Sequence, residues 1–478
     1  MPSNYEQIAD EHRQGYGSFD HHLEGYEDFY PDDTHFIYEL IQNAQAAIAT
    51  NPDRGSKERF LRITLRDGDL VAVNDGLPFA ERHVRAICSI RQSTKDLGQI
   101  GAHGIGFKAV GKFSAEPEVF SGQERFRIHR RVEPQLVADV PSELSVLVDA
   151  GQTVFRLPLK PDLRDEDLDR LGDRLPHIHK WALLFLHDLC RVEWMDERRG
   201  RSGRHTCDRS PHPLIAEASV VRLHSEVDGE AQTDENFLCF SRLKPPPQAI
   251  VDELCRQAKS DKERDSILAS RDVLQPIEVA FALQDGCVAP VEGGLLFAFL
   301  PTRKETHLRF LIQAHYKTTF ARDDIRDLES SAWNRWLVEE TADFIPDILR
   351  HLKGAGLWTP RAFAVLPAPS DGVPDGEGRE NAFQSVLAAT LKALTEGKLI
   401  PTDRRGRFAG SAQVFHPHVT ALRRLVSGAE LTEITGTGGA KWLDPTLPWL
   451  DEAAQITYQD FSEREAKFPL ALVGRVQG

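Results

Sequence analysis

Residues 34–48 read THFIYELIQNAQAAI, and Phe36, Ile37, Leu40, Ile41, Ala44, Ala47 and Ile48 recur at helical spacing. That period predicts a helix with one apolar stripe turned toward a core. Asp32, Asp33 or Thr34 can cap its start, and nothing inside the segment breaks it. Glu39 and Asn43 lie four residues apart, so the helix projects a carboxylate and an amide from one face. Taken alone, such a pair reads first as part of a solvated helix face.

Three later segments change its meaning. VNDGLPF, from Val73 to Phe79, places an Asn-Asp-Gly turn at the end of an apolar run. GQIGAHGIGFKAVG, from Gly98 to Gly111, removes side chains at Gly101, Gly104 and Gly106, then becomes helix-compatible through Phe107, Lys108, Ala109 and Val110. A run of this kind can turn backbone N–H groups toward phosphate oxygens. It is not the Walker pattern G-x-x-x-x-G-K-[ST], and its G-x-x-G-x-G spacing reverses the dinucleotide fingerprint. GQTVFRLPL, from Gly151 to Leu159, completes the set.

In this order the segments resemble the GHKL ATPase superfamily, and the wording is most similar to its sacsin-type, heat-shock-chaperone-like branch. ELIQNA, NDGLPF, STKDLGQIGAHGIGFKAV, PEVFSG and GQTVFRLPL carry the resemblance, over about residues 30 to 160. It implies a Bergerat-type two-layer α/β (α+β) sandwich with a mixed, mostly antiparallel sheet, binding ATP and Mg²⁺. Glu39 matches the family's general base for the attacking water, and Asn43 matches its Mg²⁺ ligand. Mg²⁺ keeps several waters, so one amide oxygen beside phosphate oxygens suffices, and a carboxylate one turn away can hold water without competing for the metal.

The remaining positions carry over less uniformly. The family's D-x-G-x-G motif falls on Asn74, Asp75, Gly76, Leu77 and Pro78, so an amide stands where the adenine-binding aspartate is expected and a proline where the second glycine is. An Asn carbonyl still accepts a hydrogen bond from the adenine amino group. Ala46 also departs from the acid that relatives often carry there. Gly101, Gly104, Ile105, Gly106, Phe107 and Lys108 match the phosphate-contacting hinge, and Ser93, Thr94 and Lys95 the mobile lid. Thr153 matches the threonine that supports the adenine-binding residue. In HYKTTFARDD, Lys317 and Arg322 are the candidates for the basic sensor that clamp-type relatives bring to the γ-phosphate; a local pairing of the arginine with Asp323 or Asp324 is the alternative.

Composition fits an intracellular globular protein. A length of 478 residues suggests about three domains, and 41% hydrophobic residues supply real cores. Neither an eighteen-residue apolar run nor a signal-peptide pattern is present, so a cytoplasmic location without a membrane span is expected. The six cysteines lack any C-x-x-C pair and read as reduced thiols. A net charge of −15 disfavours a broad nucleic-acid surface, although a partner could supply one. Arginines at 198, 199, 201 and 204, and at 404, 405 and 407, read as solvated turns.

Three regions are expected: an ATP-binding domain over 1–195, a transducer-like α/β domain over 196–355, and a C-terminal α/β region over 356–478. The Leu183, Leu184, Leu186 and Leu189 stripe predicts a helix leading into a strand at the first boundary. EASVVRLHS, NFLCFSRL, IEVAFAL, GGLLFAFLP and LRFLIQAHY predict strands, and SAWNRWLVEETADFIPDILRHL a helix. The Pro- and Gly-rich stretch from Pro367 to Asn381 reads as a linker or loop, followed by a helix at FQSVLAATLKALTEG and a hairpin at LIPTDRRGRFAGSAQVF.

The resemblance thus implies an ATP-hydrolysing, Mg²⁺-dependent conformational switch, with a protein partner or client and a nucleotide-dependent homodimer. Chaperone-like remodelling and a bacterial, antiviral defence complex both remain open as its setting. A non-hydrolysing ATP-gated scaffold is the alternative, and a GHKL-type protein kinase a more distant one. No phospho-acceptor histidine helix precedes the ELIQN segment.

Overall fold

The computed structural model describes residues 2–16, 35–53, 55, 57–89, 106–258, 260–319, 324–366, 383–417, 422–447 and 459–460. The first half runs α1 (Tyr5–Tyr16), α2 (His35–Ala49), β1 (Phe60–Leu65), β2 (Asp69–Asn74), α3 (Glu81–Cys88), β3 (Glu118–Ser121), β4 (Glu124–His129), β5 (Glu133–Leu136), α4 (Ser142–Asp149), β6 (Thr153–Pro158), α5 (Asp165–Arg174) and β7 (Arg191–Asp196). The second continues with β8 (Arg201–Pro211), β9 (Ala218–Val227), β10 (Glu230–Lys244), α6 (Gln248–Gln257), α7 (Asp261–Ala269), β11 (Gln275–Gln284), β12 (Cys287–Ala289), β13 (Leu295–Ala298), β14 (Leu300–Glu305), β15 (Leu311–Ala314) and α8 (Ala332–Gly354). Beyond lie α9 (Gln384–Glu396), the hairpin of β16 (Ile400–Pro401) with β17 (Phe408–Ala409), and a small sheet in which β18 (Val414–His416) pairs with two short strands.

The strands of both halves form one mixed, mostly antiparallel sheet, ordered β14-β13-β15-β11-β10-β9-β8-β7-β1-β2-β6-β3-β4-β5, with β12 paired to β11. The protein is therefore an α/β structure built on one long sheet. Continuity at residue 195 comes from β7, which pairs parallel with β1 on one side and antiparallel with β8 on the other.

Alternation explains the layers. In β2 every residue is buried, because the two faces are covered by different helices. Leu70 and Ala72 join a core with Phe36, Ile37, Leu40, Ile41 and Ala44 of α2. Val71 and Val73 pack instead with Leu144 and Val148 of α4. The α2-side core runs on into the second half through Phe237, Phe297 and Leu311. Across this seam the Trp181 and Phe237 rings lie 5.8 Å apart, and those of Phe185 and Phe297 4.9 Å. On the opposite face Leu238, Phe240, Val279 and Phe281 pack against Trp333, Leu337, Phe344 and Ile345 of α8.

Two local expectations fail. The leucine stripe at 183–189 is not helical: α5 stops at Arg174, a short 3₁₀ turn spans Leu175–His177, and turns follow. Pro176 cannot donate to a continuing helix. Trp181 to Leu186 are moreover all buried, which a helix lying on one face of a sheet does not allow. GGLLFAFLP divides into β13 and β14 at Phe299, whose φ of 69° reverses the chain. The segment 367–381 lies outside the described residues.

Candidate functional site

Helix α2 forms as its period predicts, and three sets of contacts fix its position. At its start the Phe36 ring lies 5.5 Å from Phe113, just past a 3₁₀ helix over Gly106–Lys112. At its middle Gln45 accepts from the backbone N–H groups of Asp188 and Leu189, at 3.1 and 2.7 Å, and donates to the Asp188 carboxylate at 2.9 Å. At its end the Ala47 carbonyl accepts from Leu77 N–H at 2.9 Å.

That last contact brings the Asn-Asp-Gly turn against the helix. A Cβ on Gly76 would lie 2.5 Å from the Ala47 Cβ and 2.8 Å from its carbonyl carbon, so glycine is required for the approach. Ala47, Asn43 and Glu39 stand at successive four-residue steps, one row running back from the turn. Glu39 is 4% exposed and Asn43 half-buried. A carboxylate and an amide one turn apart thus line a row that ends on the turn.

Within the turn, Asn74 and Asp75 do different things. Both Asp75 oxygens accept backbone N–H groups, from Arg59 at 2.8 Å and Phe60 at 3.0 Å, so this carboxylate anchors the start of β1. Asn74 Oδ1 accepts from Gly76 N–H at 3.0 Å, an Asx-type closure of the turn. In the sheet Asn74 stands opposite Thr153 of β6. The Thr153 hydroxyl meets that of Ser121 at 2.5 Å, and Ser121 Oγ accepts from Phe79 N–H at 2.9 Å. The result is a buried polar row, Asn74, Thr153 and Ser121, across neighbouring strand ends.

The other sequence candidates divide into three groups. Ser93, Thr94, Lys95, Gly101, Gly104, Ile105 and Arg322 lie outside the described residues. Gly106, Phe107 and Lys108 open the 3₁₀ helix, not an α-helix, and the Phe107 ring packs 5.5 Å from Phe155, beside Thr153 in β6. Lys317 belongs elsewhere. It follows β15, seven strand steps along the sheet from β2. Its ammonium lies 5.8 Å from the Trp333 ring, and burial lowers its pKa from 10.5 to about 8, with Arg326 adding to the effect. Asn334 clamps its backbone, donating to the Lys317 carbonyl and accepting from its N–H at 2.9 and 2.8 Å.

Gln45, Ser121 and Asn334 were not singled out by sequence. Nothing in the spacing marks them: Gln45 follows Gln42 and Asn43, Asn334 precedes Arg335, and only the contacts show buried side chains bonded to backbone groups. The arginines at 198, 199, 201 and 204 are paired with Asp169, Asp173, Asp228 and Glu226 around the β7–β8 turn. Among the described residues no helix is long and apolar enough to cross a membrane.

No family model matches the chain. It is similar to Protein NO VEIN of Arabidopsis thaliana, 29% identical over 350 residues that take in 68% of this chain, and it spans 11% of that protein's length.

Proposed function

We propose that the first half of the chain is a GHKL-type ATP site of the sacsin-like branch, and that the protein is a Mg²⁺-dependent ATPase working as a conformational switch. The observation that carries this reading is the Glu39, Asn43, Ala47 row ending on the Asn74 turn, with Thr153 opposite Asn74.

The residues fit the nucleotide chemically. The set offers oxygen donors of the kind Mg²⁺ takes, with no thiol or imidazole among them. Asn43 would hold the ion, which when bound neutralises charge on the phosphates. Glu39 would orient the attacking water and accept its proton. Asn74 would face the base, with Thr153 and Ser121 behind it, while Asp75 only shapes the turn. Glycine at 76 keeps helix and turn close enough for both ends of the row to serve one ligand.

A non-hydrolysing scaffold is the second reading, and the placement of Lys317 favours it. A cation resting on Trp333 in the other core does not stabilise phosphate charge unless the halves rearrange or a second copy supplies one. A cytoplasmic setting, a protein client or partner and nucleotide-dependent dimerisation belong to the same proposal, with remodelling or defence as its task.

Titrating ATP with and without Mg²⁺ against the wild type and Asn43→Ala tests the site. Expected is Mg²⁺-enhanced binding that the variant loses by about tenfold or more, the scale of one charge-assisted contact. Binding that ignores both the metal and the substitution contradicts it.

A further inference from the structure

Where the cover formed by residues 178–189 ends, the α2-side face of the sheet opens into a cleft of about 500 Å³. Its floor comes from Cys207 and Arg209 of β8, Ser219 of β9, Cys239 of β10 and Glu278 of β11, with Arg59, His187 and Cys190 on its walls. This volume is ample for a small organic ligand. None of the residues proposed for the nucleotide lines it.

The cleft carries both signs of charge. Arg209 donates to the Leu184 carbonyl at 2.6 Å and to Ser219 Oγ at 3.2 Å, which fixes its plane and uses two of its five donors. Among the described residues neither Arg209 nor Arg59 has a carboxylate within ion-pair distance, whereas the arginines at the β7–β8 turn, the far end of β7, are paired. The lining also carries two carboxylates, and both have imidazole neighbours: the buried Glu278 meets His187 Nε2 at 2.8 Å, and Glu217 lies 3.7 Å from His351 Nδ1. A preorganised guanidinium fork, a second guanidinium and serine hydroxyls therefore face one space. Guanidinium forks match the oxygens of carboxylates and phosphates.

We propose that this cleft binds a small organic oxyanion, held between Arg209 and Arg59 with its polar remainder over Ser219 and Ser241. Arg59 also ties the cleft to the Asn-Asp-Gly turn: its N–H is held by Asp75, and its carbonyl accepts from Cys190 N–H at 2.8 Å. A ligand that shifts Arg59 therefore pulls on the β1 start.

Cys190 makes the site readable without reference to nucleotide, since it lines the cleft while Cys255 and Cys287 do not. The full chain is alkylated with iodoacetamide at constant ionic strength in chloride, inorganic phosphate or citrate, and each cysteine is followed by peptide mass spectrometry. Expected is at least a threefold slowing at Cys190 by phosphate, citrate or both, with Cys255 and Cys287 unchanged. Slowing by phosphate alone assigns a phosphate ester as the ligand class; slowing by citrate alone assigns a carboxylate. Arg59→Gln and Arg209→Lys should each abolish the protection, with the buried Cys239 still unreactive as the sign of an intact fold. Equal Cys190 rates in all three anions, or protection that survives in both variants, overturns the proposal. Failure here leaves the nucleotide reading untouched, because no residue of that site is probed.

Discussion

In the proposed nucleotide site, Asn74 is the residue on which base choice would turn. A carboxylate at this position accepts from the adenine amino group and repels the guanine carbonyl, whereas an amide can present either an oxygen or an NH₂ group. With Oδ1 already closing the turn on Gly76 N–H, the wild type is expected to discriminate ATP from GTP weakly. Asn74→Asp should widen the ATP preference by about tenfold, roughly one hydrogen bond's worth of free energy, as competition titrations with the two nucleotides would show. An unchanged ratio would remove Asn74 from the base pocket. His205 offers a test of burial instead of chemistry. It is 5% exposed, and burial, reinforced by His179, lowers its pKa from 6.5 to about 4. The folded chain then refuses a proton that the unfolded chain accepts. Stability is retained above pH 6.5 and lost as the pH falls from there toward 4, by about 3 kcal/mol at most from this residue. Urea midpoints across that window should fall less steeply for His205→Phe than for the wild type.

At the scale of elements, α2 is positioned by a side chain the sequence pattern does not advertise. Gln45 answers two backbone N–H groups of the segment after the buried turns. Gln45→Ala leaves those donors without this acceptor and is expected to cost about 2–4 kcal/mol, read as a shift in urea midpoint. A loss below about 0.5 kcal/mol would mean that packing alone holds the helix. This division marks what was legible. The apolar period of 36–48 and the β-type runs of β9, β10 and β11 are carried by local sequence, and helix and strands appear where it puts them. The non-helical course of 178–189 was not legible, because a run buried on every side carries no period. The same holds for the split at Phe299, where one left-handed residue turns an apolar run into two strands. For the candidate site, spacing showed that Glu39 and Asn43 share a face. It could not show that Asp75 turns inward to cap β1, because Asn and Asp are equally at home in a turn.

For the whole molecule, the decisive feature is that one sheet and one core cross from the first half to the second. Trp181 and Phe185, which precede the expected boundary, pack on Phe237 and Phe297 beyond it. Residues 1–195 made alone would expose the β7 edge and this apolar seam, so they should aggregate or melt well below the full chain, whose two halves should unfold in one calorimetric transition. A soluble fragment with the full chain's midpoint would show the seam to be dispensable. A seam of this kind would also give the proposed nucleotide closure a route to β8–β11, since rigid packed elements transmit displacement. Whether there is turnover to transmit rests on Glu39, the buried carboxylate one turn from Asn43. Phosphate release from Mg²⁺-ATP by the wild type and by Glu39→Ala, measured beside ATP binding, decides this. The ATPase reading predicts hydrolysis at background in Glu39→Ala with binding retained; a wild type that binds ATP yet never releases phosphate, or a variant that hydrolyses as the wild type does, would contradict it.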